Sequence, residues 1–181
     1  MKKKILFIVF TFNLMGLINS CECPSEKYYN YKAIEFEIYN PLVALNDTLK
    51  FGLRGEEIMY LAQNKINFQF SNSANATTVC EKGWAGEKYS MTRISIKSDT
   101  DFNTNFPSGS ELNSIITARG LNSNQEPILT TLNNLNPSTV YLDGFYISQR
   151  PEINKTHRFR VEIEKSNGDI LIDTSEVIIW Q

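Results

Sequence analysis

The stretch "HRFRVEIEKSNGDILIDTSEVIIW", residues 157–180, decides the fold class. Phe159, Val161 and Ile163 alternate with Arg158, Arg160, Glu162 and Glu164, which puts apolar side chains on one face of an extended chain and charges on the other. The turn "KSNGD" follows, and its glycine tolerates the positive φ that a tight hairpin demands. The return run carries Ile170 and Ile172, and Trp180 closes the last strand against the core.

The same period of two recurs upstream. "AIEFEIYN" sets Ile34, Phe36 and Ile38 against Glu35 and Glu37, and "TLKFGLRG" aligns Leu49, Phe51 and Leu53. "KINFQFSN" aligns Ile66, Phe68 and Phe70, while "YSMTRISIKS" opposes Thr92, Ile94 and Ile96 to Met91, Arg93 and Ser95. "STVYLDGFYIS" suits one or two strands broken near Gly144. Many short strands with little helical periodicity predict an all-β chain: an antiparallel, immunoglobulin-like β-sandwich of about seven to nine strands. "EEIMYLAQ" could form a helical turn, and "GSELNSIITA" a short helix capped by Ser108 or Ser110. The Asn-rich stretch from Asn122 to Asn136 reads as a loop carrying "PILTTL".

At 181 residues with 41% apolar and 12% aromatic side chains, the chain can bury one domain's core. The formal net charge is −2 with no basic cluster beyond Lys2, Lys3 and Lys4, which argues against a nucleic-acid partner. Those lysines precede an apolar run from Ile5 to Phe12 and a second from Leu14 to Ile18. This charge-then-apolar order is that of a secretory signal, and the run is short of the roughly 20 apolar residues of a spanning helix.

The run ends in "LINSC", which resembles the lipobox of bacterial lipoproteins at Ile18, Ser20 and Cys21, with Asn19 polar where a small or apolar residue is usual. The resemblance implies that residues 1–20 are a signal peptide and that Cys21, diacylated on its thiol, becomes the first mature residue. Acyl chains anchor a protein to a membrane at about 0.8 kcal/mol for each buried CH₂. Residues 21–31 would then be a lipidated tether and residues 32–181 the sandwich, in the cell envelope and by expectation at the outer membrane. With Cys21 acylated, Cys23 and Cys80 are the remaining pair, and an oxidising compartment favours a disulfide between them, free thiols being the alternative. One histidine, His157, and a C-x-C spacing leave too few ligands for a closed zinc site.

No G-x-S-x-G elbow, P-loop, dinucleotide fingerprint or H-E-x-x-H is present, so the chain reads as no enzyme and requires no cofactor. Glu35/Glu37 and Glu162/Glu164 read as solvated strand faces; a carboxylate-pair hydrolase is the least favoured alternative. Asp99, Asp101 and Asn103 alternate as oxygen ligands of a calcium loop do, yet Thr104 and Ser110 stand where an EF-hand needs Gly and Glu. The plainer reading is a loop of Asx turns anchored by Phe102 and Phe106. Trp84, between glycines in "EKGWAGEKY", is read first as a cap on the core beside Cys80, with stacking on a sugar or partner as the alternative.

"TDFNTNFPSGSELN" resembles the D-F-N…P-x-G-S-x-L-N stretch of a family of small uncharacterised lipoproteins of Bacteroidetes. The matching residues are Asp101, Phe102, Asn103, Pro107, Gly109, Ser110, Leu112 and Asn113. The resemblance implies a lipobox, a paired cysteine and a β-rich body, and it carries no activity, cofactor or functional residue with it. The expected function is therefore a lipid-anchored envelope protein, a non-catalytic binding or structural module with a protein or glycan partner. A carbohydrate- or Ca²⁺-dependent recognition domain is the alternative.

Overall fold

The computed structural model describes residues 26–62 and 81–181. Cys21, Cys23, Cys80 and the expected strand at Ile66–Phe70 lie outside the described residues. Thirteen strands are present among those described. They run β1 (Tyr28–Asn30), β2 (Ala33–Ile38), β3 (Leu42–Val43), β4 (Leu49–Glu56), β5 (Met59–Leu61) and β6 (Met91–Ser98). The series continues with β7 (Ile116–Leu121), β8 (Pro127–Thr131), β9 (Val140–Ile147), β10 (Thr156–His157), β11 (Phe159–Lys165), β12 (Ile170–Thr174) and β13 (Ile178–Trp180). Two 3₁₀ turns, at Leu132–Asn134 and Pro137–Thr139, are the only helical pieces described.

The chain divides into two units. One comprises residues 31–58 and 89–181 and is the all-β sandwich that the alternation predicts. Its larger sheet has the order β2-β4-β9-β7-β8 and its second sheet β12-β11-β6, every pairing in both being antiparallel. A small sheet, β10-β13-β3, adds the one parallel pairing described between named strands, β13 with β3. Inward side chains from the larger sheet include Phe36, Phe51 and Phe145, whose rings stack in series at 5.0 and 5.2 Å between centroids. From the second sheet come Ile94, Ile96, Phe159, Val161 and Ile163, all buried. Burying a side chain of this size contributes about 1.5–3 kcal/mol, so these two rows supply the main driving force of the fold.

The hairpin of residues 157–174 forms as its sequence requires, with Gly168 at φ 88° in the turn. Its register pairs Ile163 with Leu171, so Leu171 faces the core while Ile170 and Ile172 lie opposite Glu164 and Glu162 on the solvent side. The strand continues inward to Lys165, which is buried. Its ammonium donates to the Tyr31 carbonyl at 2.9 Å and lies 3.2 Å from the centre of the Tyr31 ring.

Three local expectations are corrected. "EEIMYLAQ" makes no helical turn: the chain bends at Glu57, φ 52°, and Met59–Leu61 extends as β5. "GSELNSIITA" is not a helix either, because its backbone is drawn along the edge of β6. Leu112 N–H donates to Ile96 O at 2.8 Å, and the Asn113 amide accepts from Ile96 N–H and donates to Ile94 O. Within the Asn-rich stretch, Pro127–Thr131 pairs with β7 as a strand.

The other unit contains residues 26–30, 59–62 and 81–88 among those described. Residues 28–30, where the sequence predicts tether, are strand β1, paired antiparallel with β5. The segment 83–88 runs alongside: Gly83 N–H donates to Glu26 O, Ala85 N–H to Lys27 O, and Tyr29 N–H to Gly86 O.

Candidate functional site

The loop 99–113 and His157 form the densest polar construction described. Strand β6 ends at Ser98, and the chain then turns across the entrance of β10. Each candidate oxygen ligand is committed to a separate stretch of backbone. Asp99 accepts from Arg158 N–H at 2.8 Å, and Asp101 from Ser108 N–H at 2.7 Å. Asn103 accepts from Asn105 and Phe106 N–H at 2.9 and 3.0 Å. Only Asn103 makes the Asx turn of the plainer reading, while Asp99 and Asp101 brace backbone farther along the chain; Phe102 is fully buried and Phe106 half-buried. Among the described residues no group of three or more His, Cys, Asp or Glu is placed to hold a metal ion.

His157 sits beneath this loop at 1% exposure. Its Nε2 lies 2.8 Å from Asn154 O, a group that only accepts, so Nε2 carries the proton. Nδ1 then accepts from the Ser98 hydroxyl at 2.7 Å. The Thr100 hydroxyl is 2.9 Å from the same nitrogen, with Thr156 O at 3.1 Å for its own proton. Phe102, Phe159 and Trp180 enclose the ring, Trp180 edge-on at 5.3 Å. Burial pushes the imidazole below its ordinary range, against the opposite pull of the Asn154 carbonyl and the Asp99 carboxylate. A Ser–His contact of nucleophilic length is thus present. It is sealed under three aromatic rings, and its far nitrogen is held by a carbonyl where a triad has a carboxylate.

The carboxylate pairs face solvent in ion pairs. Arg54 meets Glu35, Glu37 and Glu56, and Arg93 bridges Glu111 and Glu164 at 3.2 and 3.1 Å. Glu162 lies 3.9 Å from Lys97. Both arginines are held more firmly protonated by these carboxylates.

In the other unit, Trp84 is 54% exposed, so it does not cap a core as the sequence reading expects. Gly83 and Gly86, at φ 77° and 89°, make the turns that lift it outward, and the Lys27 ammonium lies 5.8 Å from its ring centre.

On the solvent face of the larger sheet sequence reasoning singles out Glu35 and Glu37 and passes over Tyr39, Tyr141 and Tyr146. A signal exists for the first of them. Tyr39 continues the outward register of Glu35 and Glu37, so the alternation that buries Phe36 also exposes an aromatic ring. Among the described residues no helix is long and apolar enough to cross a membrane. No family model, no curated protein and no solved structure matches this chain.

Proposed function

We propose that this chain is a lipid-anchored protein of the cell envelope, delivered to the outer membrane on its periplasmic or surface face, whose sandwich serves as a non-catalytic binding or structural module. It stands with the Bacteroidetes lipoproteins that its 101–113 stretch resembles. The address rests on Lys2–Lys4, the apolar run and the "LINSC" cleavage region, and a Cys23–Cys80 disulfide would staple the domain next to its anchor. The observation that carries the functional half is the use made of the reactive side chains. His157, Ser98, Asp99, Asp101 and Asn103 all hold backbone or one another, which supports a structural use of these side chains.

A second reading, glycan recognition at the cell surface, is favoured by the exposure of Trp84 with a lysine beside its ring. A Ca²⁺-dependent form would oblige Asp99, Asp101 and Asn103 to release four backbone N–H groups.

Fractionation of cells producing the full chain tests the anchor. Wild type is expected in the membrane fraction, entering the detergent phase on phase separation, and Cys21→Ser in the soluble fraction. Cys21→Ser protein that stays in the membrane would overturn the proposal.

A further inference from the structure

The solvent face of the larger sheet is paved by side chains that lie across it. Tyr39 follows β2 and stretches over β4, where Gly52 is buried beneath it; a Cβ at Gly52 would collide with the Tyr39 hydroxyl. That hydroxyl reaches the Asp143 carbonyl on β9 at 3.5 Å, yet the residue remains 54% exposed. Two strands further on, the stem of Arg119 on β7 crosses the second buried glycine of this face, Gly144. Its Cδ lies 3.3 Å, and the Tyr146 hydroxyl 3.7 Å, from where a Cβ would sit. The Arg119 guanidinium lies 5.8 Å from the centre of the exposed Tyr141 ring. The β7–β9 register jumps here from Ala118↔Phe145 to Gly120↔Val140, a bulge of the kind that re-aims side chains.

Glycine under each crossing side chain lets it lie close on the sheet, and residues from β2 to β7 span three strand spacings, about 14 Å. Tyrosine rings offer an electron-rich face to C–H groups and a hydroxyl to polar ones. Between them stand charges of both signs, Glu37 and Asp143 with Lys50 and Arg119. The carboxylates lie near enough to raise the Tyr39 phenol pKa, after burial as the larger cause. The core of a protein–protein interface is depleted of charge, and this face is not. A sugar polymer presents the matching chemistry, flat C–H faces ringed by hydroxyls that donate and accept. The balance of charge favours a neutral polymer over an acidic one.

We infer that the outer face of the β2-β4-β9-β7-β8 sheet, centred on Tyr39, Tyr146, Tyr141 and Arg119, is a binding platform for a neutral polysaccharide. The inference deepens the binding-module reading by naming a ligand class and a site distinct from Trp84.

Native affinity electrophoresis of the full chain in detergent tests it, in gels containing soluble xylan, galactomannan, mixed-linkage β-glucan or glycogen, with polygalacturonate as the acidic comparison. Wild type is expected to be retarded by at least one neutral polymer. Tyr39→Ala and Arg119→Ala should each weaken that retardation at least tenfold, with melting temperatures near wild type, while Trp84→Ala leaves it unchanged. Should Tyr39→Ala unfold, Arg119→Ala and Gly52→Val, which displaces the Tyr39 ring, take its place. Retardation lost in Trp84→Ala and kept in the Tyr39 and Arg119 variants would overturn the platform but leave glycan binding standing. Retardation by polygalacturonate alone, or by no polymer, would overturn the inference, and membrane anchoring would still be judged by Cys21→Ser.

Discussion

His157 couples the loop, β6 and β13 through one ring, and its burial has a consequence for pH. The neutral form is favoured in the folded state, so the unfolded chain binds the proton more readily. Stability from this residue is therefore complete above the ordinary imidazole value, near 6.5, and is lost as pH falls below it. Urea unfolding between pH 7.5 and 5 should show a steeper loss in wild type than in His157→Gln. The variant should be weaker by about 1–3 kcal/mol at pH 7.5, because the Ser98 and Asn154 groups lose a buried partner. Equal pH slopes would contradict this account of His157. Lys165 makes a second residue-scale case. Lys165→Ala removes a buried ammonium from the Tyr31 carbonyl and ring and should cost about 2–4 kcal/mol in the same assay. Sequence places Lys165 in the turn "KSNGD", although the alternation of Phe159, Val161 and Ile163 extended by two residues points it inward. A turn motif and a strand period compete at that position, and the strand wins.

At the scale of elements, the closing hairpin is legible because its apolar period and its Asn-Gly turn agree. What the period leaves open is the phase of the return strand. Leu171 faces the core because the turn length pairs it with Ile163, a cross-strand fact that no single strand contains. Gly168→Ala tests the turn: at φ 88° a Cβ is strained, and a loss of about 1–2 kcal/mol is expected by denaturant titration. "GSELNSIITA" reads as a short helix, but Asn113 and Leu112 satisfy the edge of β6 instead. Tertiary hydrogen bonding outweighs a weak propensity there. Sheet edges carry another such contact. Asp173 on β12 accepts Phe36 N–H of β2 at 2.7 Å, closing part of an outer edge of the larger sheet. Asp173→Ala should destabilise by about 1–3 kcal/mol, and Asp173→Asn, which still accepts, by less. Equal losses in the two would contradict the edge-cap role.

At the scale of the whole molecule, the sandwich follows from many small alternations that agree, and so it is readable without a relative. The candidate site is less so. Asp99, Asp101 and Asn103 look like ligands in one dimension and are backbone braces in three. The tyrosine platform is invisible in one dimension because its members come from 39, 141 and 146, joined only by the β2-β4-β9 order. The proposed anchor and the proposed platform would together make a membrane-held module that binds a polymer. The anchor is the central claim, and mass spectrometry of the N-terminal peptide from the membrane-extracted protein tests it most directly. The account predicts a mature chain that begins at Cys21 and carries a diacylglyceryl group on that residue. A chain that retains residues 1–20, or one with an unmodified Cys21, would contradict it.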